Sequence, residues 1–376
     1  MRHAPALSCA LAALAIGLCI LPAANAAGAS FEVLGNFWPA GVSDDGNTVA
    51  GTGDDPAAPG QVLVLWTPTG GLRTAGWSDG HEHTSAHAIS GDGTTILGVD
   101  YNANMLVWTA AGGVQYPAGT NGYPGGINRD GSVIVGGHVG GKPFRWTAAG
   151  GAVSLPTPPG WADNGADGRA HTVSADGSVV AGTLFNAPGD RRAFRWTGAG
   201  GTALLDQPAG VVGSDATAIS ADGSTVVGWA YGPSDDEQAF RWTEAGGMQL
   251  LGHLPGFPGG PGSVNTNAPR GVTADGSVIV GVEWFSAASG NAFIWDAAHG
   301  MRDLKAVLES EYGLNLTGWT LWSADGITPD GTTIIGTGSH PQFGQGVVWR
   351  VTLPEPGAAT LFVLGGATLL LRRRRS

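Results

Sequence analysis

An Asp-Gly pair recurs seven times along this chain of 376 residues, and the residues around it recur with it. A glycine follows each aspartate by six residues, and a tryptophan follows it by 16 to 21 residues. Because the six-residue spacing never drifts, the chain is predicted to contain seven copies of one structural unit. The seven aspartates are Asp45, Asp92, Asp130, Asp176, Asp222, Asp275 and Asp330.

The fifth copy indicates what each unit forms. A short β run at 217–220 leads through Asp222-Gly223 into a second run that ends at Gly228. Asp-Gly between apolar runs is a strong hairpin signal, because such turns need a positive φ that these residues tolerate. A third run at 239–242 alternates with period two, and a glycine turn leads into a fourth. Each copy is therefore predicted to hold four short strands.

Four strands in about 47 residues are typical of a β-propeller blade. The seventh copy stops at Trp349 without a fourth strand, but an unassigned β run, 31–35, lies near the start of the chain. If this run pairs with the last blade, the ring closes without an open edge. We therefore predict an all-β, seven-bladed propeller over 27–353. The segment 301–312 breaks the repeat with the apolar spacing of a short helical insert.

The tryptophans occupy one strand position in all seven copies, and we expect them to fill the core between blades rather than a ligand site. They are Trp66, Trp108, Trp146, Trp196, Trp242, Trp295 and Trp349. The phrases Ala-Ile-Ser-Ala-Asp-Gly, Val-Val-Gly and Phe-x-Trp in these copies resemble the HAF family of bacterial extracellular repeats. The resemblance implies a surface β-propeller without a known general activity.

Both ends of the chain have the pattern of processing signals. Residues 1–26 have a basic start, an apolar run and an Ala-Asn-Ala site, which predicts an export signal cleaved after Ala26. Both cysteines, Cys9 and Cys19, lie within it.

Residues 354–376 comprise a Pro-Glu-Pro motif, an apolar run and four arginines, and they resemble the PEP-CTERM sorting signal. That resemblance implies recognition by an exosortase-type enzyme, a transient membrane anchor and final placement at the surface or matrix of a Gram-negative bacterium. The sorting residues are Pro354, Glu355, Pro356, Arg372, Arg373, Arg374 and Arg375.

Composition narrows the class of partner. The net charge is −12 and only two lysines, Lys142 and Lys305, are present, which argues against nucleic acid because such binders need a basic face. Charged residues make up 13% of the chain while tryptophan is abundant, and this argues against disorder. No cofactor is indicated by any motif, and no residue is assigned a catalytic role.

The candidate binding residues are aromatic. Within a blade, the loops between second and third strands and the crossovers between blades vary in length and share one face, where function usually resides. Aromatic rings beside polar groups suit sugar rings, although they could equally be partly buried loop plugs. The candidates are Trp229, Tyr231, Trp284, Phe285 and Phe185. We expect those of the fifth and sixth copies to lie near one another.

Two weaker metal hypotheses accompany this one. His81, His83 and His87 share a face in an extended segment, so zinc or nickel is conceivable, but no fourth ligand is evident and a bare surface cluster is favoured. The acidic loops Asp54-Asp55 and Asp235-Asp236-Glu237 fit Ca²⁺ in residue type, although solvated turns are favoured.

The sequence thus favours an exported, non-enzymatic surface propeller that binds exopolysaccharide or another envelope component. Two alternatives stay open. One is a propeller glycoside hydrolase or lyase, in which loops bring distant carboxylates together. The other is a purely structural matrix protein.

Overall fold

The computed structural model describes residues 28–54, 60–75, 84–138, 141–158, 161, 167–186, 190–233, 237–256, 266–286 and 289–354. Within them the chain forms a seven-bladed β-propeller of four-stranded antiparallel blades, as the repeat predicts. The first strands of neighbouring blades contact one another around the whole ring and therefore line a central channel.

In blades one to six, the strands follow one another in chain order from the channel outward. The strands of blades one to three are β2 (Trp38–Val42), β3 (Val49–Asp54), β4 (Gln61–Thr67), β5 (Gly71–Thr74), β6 (Thr84–Ile89), β7 (Thr95–Asp100), β8 (Met105–Thr109), β9 (Gly113–Gln115), β10 (Gly122–Ile127), β11 (Val133–His138), β12 (Pro143–Thr147) and β13 (Gly151–Ser154). Those of blades four and five are β14 (Asp167–Val173), β15 (Val179–Asn186), β16 (Asp190–Thr197), β17 (Gly201–Leu204), β18 (Gly213–Ile219), β19 (Thr225–Tyr231), β20 (Glu237–Thr243) and β21 (Gly247–Leu250). Those of blades six and seven are β22 (Thr266–Val272), β23 (Val278–Ser286), β24 (Ser289–Asp296), β25 (Gly300–Asp303), β26 (Thr320–Ile327), β27 (Thr333–His340), β28 (Gly344–Thr352) and, on the outside of blade seven, β1 (Ser30–Asn36).

The closing strand is β1, which confirms the role predicted for 31–35. It pairs antiparallel with β28, with Phe31 opposite Val351 and Asn36 opposite Val347. The Phe31 ring stacks on Trp349 at a centroid distance of 5.9 Å. The ring of seven blades is therefore closed by main-chain hydrogen bonds and by aromatic packing between the two ends of the repeat region.

The Asp-Gly turns are stabilised by the residue two positions before the aspartate, as blade five illustrates. The Ser220 hydroxyl donates to Asp222 Oδ1 (2.5 Å) and accepts from Thr225 N (2.9 Å), while Gly223 N donates to Ser220 O (2.9 Å). Gly223 has φ +73°, but Asp222 does not share the left-handed conformation, since Ala103 is the one described non-glycine residue with positive φ. The turn therefore needs a left-handed backbone at the glycine alone, not at both residues.

The position six residues after each aspartate requires glycine for a steric reason that the spacing alone does not reveal. In every blade the inner strand has a β-bulge opposite this glycine, between Ala86 and Ala88 in β6, for example. The bulge pushes a carbonyl toward the second strand, so a Cβ at Gly98 would lie 2.5 Å from Ser85 O. Only glycine leaves room for that approach.

The core lies between blades. Phe144, Phe194, Phe240, Phe293 and Trp349 are fully buried, and Trp66, Trp108 and Trp295 are buried with only a small part of their surface exposed. The tryptophans of blades three to five are half-buried against the core clusters of their blades. This confirms that the repeat tryptophans are core residues. The arginine between the two aromatics reaches the next blade: Arg241 Nε donates to Gly276 O at 3.0 Å.

The insert forms one helix, α1 (Leu304–Ser310), in which Leu304, Val307 and Leu308 are buried as their spacing predicts. It is shorter than predicted, because residues 301–303 complete β25 instead. Asp303 then caps the helix by accepting a hydrogen bond from Ala306 N at 2.9 Å.

Candidate functional site

The two faces of the propeller differ in their loops. One face holds the Asp-Gly turns, which are nearly identical in every blade. The opposite face holds the loops between second and third strands and the crossovers between blades, and we call it the variable-loop face. Because the scaffold beneath is rigid while these loops differ, this face is where blades become distinguishable to a ligand.

A charged cluster lies at this face, between blades four and five. Asp215, on the inner strand β18, is only 4% exposed. Its carboxylate accepts hydrogen bonds from Thr183 Oγ1 and from Arg191 Nη2 of blade four. His171 Nε2 lies 3.6 Å from the same carboxylate. A buried carboxylate requires such compensation, so the cluster fixes the position of Arg191.

Three of the predicted aromatic residues surround that arginine. The Arg191 guanidinium carbon lies 4.4 Å from the centroid of the Trp229 ring and 5.2 Å from that of Phe185. Tyr231 follows at 6.0 Å from Trp229, centroid to centroid. All three rings are half-buried, so each keeps part of its surface open to solvent. Sequence reasoning identified the rings but not Arg191 or Asp215, which organise them.

The other two predicted aromatics do not join this group. Trp284 is half-buried on β23, opposite Thr266, and no ring contact links it to Trp229 among the described residues. The side chain of Phe285 lies outside the described residues. Glu283, which precedes Trp284, is fully buried. Its carboxylate accepts a hydrogen bond from Leu254 N at 2.7 Å, which anchors the crossover from blade five. Among the described residues, the ring contacts of Trp229 are with Arg191 of blade four and with Tyr231 of its own blade.

The inner-strand bulges form a second feature that sequence reasoning missed. In each blade the extra residue of the bulge stands five positions before the repeat aspartate, so this spacing was the available signal. The side chains reach toward the following blade: Thr217 Oγ1 donates to Pro269 O at 2.6 Å, and Arg270 Nη1 lies 3.6 Å from Asp325 Oδ1. The seven residues are Ala40, His87, Gly125, His171, Thr217, Arg270 and Asp325.

We call these seven residues the bulge ring. Burial shifts the pKa values of three of its titratable side chains. It raises the pKa of the Asp325 carboxyl, against the opposing charge of Arg270. It lowers the pKa of His171, although Asp215 acts in the opposite direction. It also lowers the pKa of His87. These groups therefore favour their neutral forms more than they would in water.

On the Asp-Gly side of the bulge ring, every inner strand contributes one aliphatic side chain to the lining of the channel. A cavity of about 180 Å³ remains there. The seven side chains are those of Val42, Ile89, Ile127, Val173, Ile219, Val272 and Ile327. Arg129 Nε pairs with Asp44 Oδ2 at 2.9 Å beside them.

The described residues do not support either of the two metal hypotheses with a set of ligands. His87 is the bulge residue of β6, whereas His81 and His83 lie outside the described residues. Asp54 is exposed at the end of β3, and its partner Asp55, like Asp235 and Asp236, also lies outside them. In the described part of the chain, no three His, Cys, Asp or Glu side chains cluster as metal ligands would.

The terminal predictions fall almost wholly outside the described ranges, which begin at Gly28 and end at Pro354. Ala26, Glu355, Pro356 and the arginines 372–375 are therefore not placed. In the described ranges, no helix has the length and apolar character needed to cross a bilayer.

Comparison with known proteins identifies the fold alone. No family model matches the chain, and no curated protein sequence does. Among solved structures, the β-propeller domain of Cps50 (Swd1) from Myceliophteria thermophila is 11% identical, with a TM-score of 0.52 over 87% of this chain and 100% of that one. U3-55K is 15% identical, with a TM-score of 0.51 over 86% and 98%. TolB from Acinetobacter baumannii is 16% identical, with a TM-score of 0.45, and the match covers 68% of this chain and 62% of the TolB chain.

Proposed function

We propose that the protein is an exported, non-enzymatic surface propeller that binds polysaccharide through its variable-loop face. The observation that carries the proposal is the group of three half-buried rings, Phe185, Trp229 and Tyr231, held around Arg191. Ring faces accept the apolar C–H surface of a sugar, while the partly exposed Arg191 guanidinium beside them supplies hydrogen-bond donors for hydroxyls. Export to the cell surface or matrix, with exosortase processing, rests on the sequence patterns of the two termini.

The rigidity of the group favours binding. Arg191 is held by the buried Asp215, so the rings that pack on it are ordered before any ligand arrives. An ordered site loses less conformational entropy on binding than a mobile one.

The test compares binding and turnover on the same polysaccharides. The double change Trp229→Ala with Tyr231→Ala should weaken binding to a glycan array and to the host exopolysaccharide by about tenfold or more, since two stacking contacts of about 1 kcal/mol each are lost. Tyr116→Ala is the control, because Tyr116 is exposed and follows the outer strand of blade two. Circular dichroism and thermal unfolding verify that both variants fold.

Three results would overturn parts of the proposal. Equal binding by the double variant would move the site elsewhere. Cleavage of the polysaccharide would favour a hydrolase or lyase. Failure of the folded wild-type protein to bind any glycan would favour a structural matrix role.

A further inference from the structure

A pocket of about 540 Å³ lies where the ring closes, between blades seven and one. We call it the seam pocket. Trp38 and Trp322, on the inner strands of the two blades, contribute its aromatic surface, and Asn36, Asp54 and Gln345 contribute polar groups. The volume is within the range of small-molecule sites, which is about 300–1,000 Å³.

The pocket exists because the crossover at this seam is unusually short. A single residue, Phe37, separates β1 from β2, and its side chain is buried in the core. The shortest crossover at any other blade junction has six residues, between Gln115 and Gly122. Here, therefore, the crossover has no loop that covers the gap between the two inner strands.

The aromatic surface of the seam pocket is accessible. Trp38 is 59% exposed, although burial of its large ring would be favourable. Trp322 is half-buried at a further bulge of β26, between Leu321 and Ser323. Rings that remain open beside polar groups are suited to stacking against the apolar face of a pyranose.

The polar groups of the seam pocket indicate what kind of sugar it selects. Within the described residues, the side chains of Asn36, Asp54 and Gln345 make no hydrogen bond, so their amide and carboxylate atoms remain available for hydroxyl groups. The described lining contains one carboxylate and no Lys, Arg or His. A sugar carboxylate would meet the like charge of Asp54 without any compensating cation, and this disfavours uronic acids.

We propose that the seam pocket binds one uncharged sugar ring, a neutral hexose or an N-acetylhexosamine, with the ring stacked on Trp38. The amides of Asn36 and Gln345 donate hydrogen bonds to its hydroxyls and accept hydrogen bonds from them. The Asp54 carboxylate accepts hydrogen bonds from hydroxyls and excludes acidic sugars. The assignment of that ring to a polysaccharide rests on the proposed function, whereas the selectivity of the pocket does not.

The experiment measures the binding of three methyl glycosides to the full chain by ligand-observed NMR: glucoside, N-acetylglucosaminide and glucuronide. One or both neutral glycosides should bind at least about tenfold more tightly than the glucuronide. Trp38→Ala should abolish most of the neutral binding, and the isosteric Asp54→Asn should narrow the gap between neutral and acidic sugars. Tyr116→Ala, at the exposed tyrosine that follows the outer strand of blade two, should change neither.

The outcomes separate this proposal from the proposed function. No binding of either neutral glycoside by the folded wild-type chain, or binding indifferent to Trp38→Ala, would overturn the seam pocket even if polysaccharide binding through Trp229 persisted. Equal affinity for the glucuronide would overturn the role of Asp54. Neutral glycoside binding that depends on Trp38, without any binding of polysaccharide, would leave the pocket standing and overturn the proposed function.

Discussion

Asp176 shows why the repeat aspartate recurs in every copy. Its Oδ1 accepts from the Ser174 hydroxyl at 2.6 Å, from Ser178 N at 2.9 Å and from the Ser178 hydroxyl at 2.8 Å. Hydrogen bonding from Ser174 is the largest of the effects that lower the pKa of Asp176 below its ordinary value. The aspartate is therefore a structural group that holds the hairpin turn in its ionised form.

This assignment predicts a pH dependence of stability. The pKa of Asp176 is lower in the folded chain than in the unfolded chain, where an aspartate has a pKa of about 3.9. Its stabilising contribution to the free energy of unfolding is therefore complete above that pH. As the pH falls through the lower folded value, the native carboxylate takes up its proton and the contribution is lost. Asp176→Asn should thus lower Tm by about 1–2 °C at pH 7, and the difference from wild type should vanish in strong acid.

Thermal unfolding followed between pH 7 and pH 2 provides the measurement. Asp206→Asn is the matched control, since Asp206 is exposed and accepts no hydrogen bond from the described residues. A constant Tm difference across the whole range would show that the charge of Asp176 is irrelevant to the turn.

At the scale of the element, the bulged inner strand controls both packing and chemistry. In β18 the bulge between Ala216 and Ala218 brings Asp215 O against Gly228 of the neighbouring strand. It also directs Thr217 toward blade six, where its hydroxyl meets Pro269 O. The bulge that all seven inner strands share thus explains the repeat glycine and the ring of side chains around the channel.

The bulge predicts unequal responses to the same substitution at two glycines. Gly228→Ala would drive its new Cβ into the Asp215 carbonyl, a backbone atom that cannot move aside, and should destabilise the fold by about 1–3 kcal/mol. Gly198→Ala is the control, because nothing lies within 4 Å of its Cβ position. Urea unfolding of both variants measures the difference. A Gly228→Ala variant as stable as Gly198→Ala would contradict the tight approach.

The elements also show how far the sequence could predict this molecule. Strand count, the closing run 31–35 and the buried Phe-x-Trp positions follow from spacing, because every copy repeats the same local hydrogen bonds and the same apolar face. The pairing of Arg191 with Asp215 does not follow, since it joins different copies at positions that the repeat leaves free. His87 illustrates the same limit, since its neighbours in sequence do not indicate that the bulge of β6 places it in the bulge ring.

At the scale of the whole molecule, closure of the ring depends on one strand from the opposite end of the repeat region. β1 supplies the outer edge of blade seven, and Phe31 contacts Trp319 at 5.0 Å and Trp349 at 5.9 Å, between centroids. Arg350 Nη1 also lies 3.3 Å from Glu32 Oε2 across the same pair of strands. Without β1, the hydrogen-bonding groups of β28 would form an open edge able to pair with another chain.

Deleting residues 27–36 should therefore lower Tm and cause association that increases with protein concentration. The same edge should accept its missing strand from solution by β-augmentation. A synthetic peptide of residues 28–36 should bind the truncated protein, raise its Tm and suppress association, whereas a scrambled peptide should not. Phe31→Ala in the full chain separates the two contributions, because it removes the aromatic contacts and leaves the strand pairing in place. Calorimetry and light scattering measure both effects, and a truncated protein with wild-type Tm and no association would show that the ring does not depend on β1 for closure.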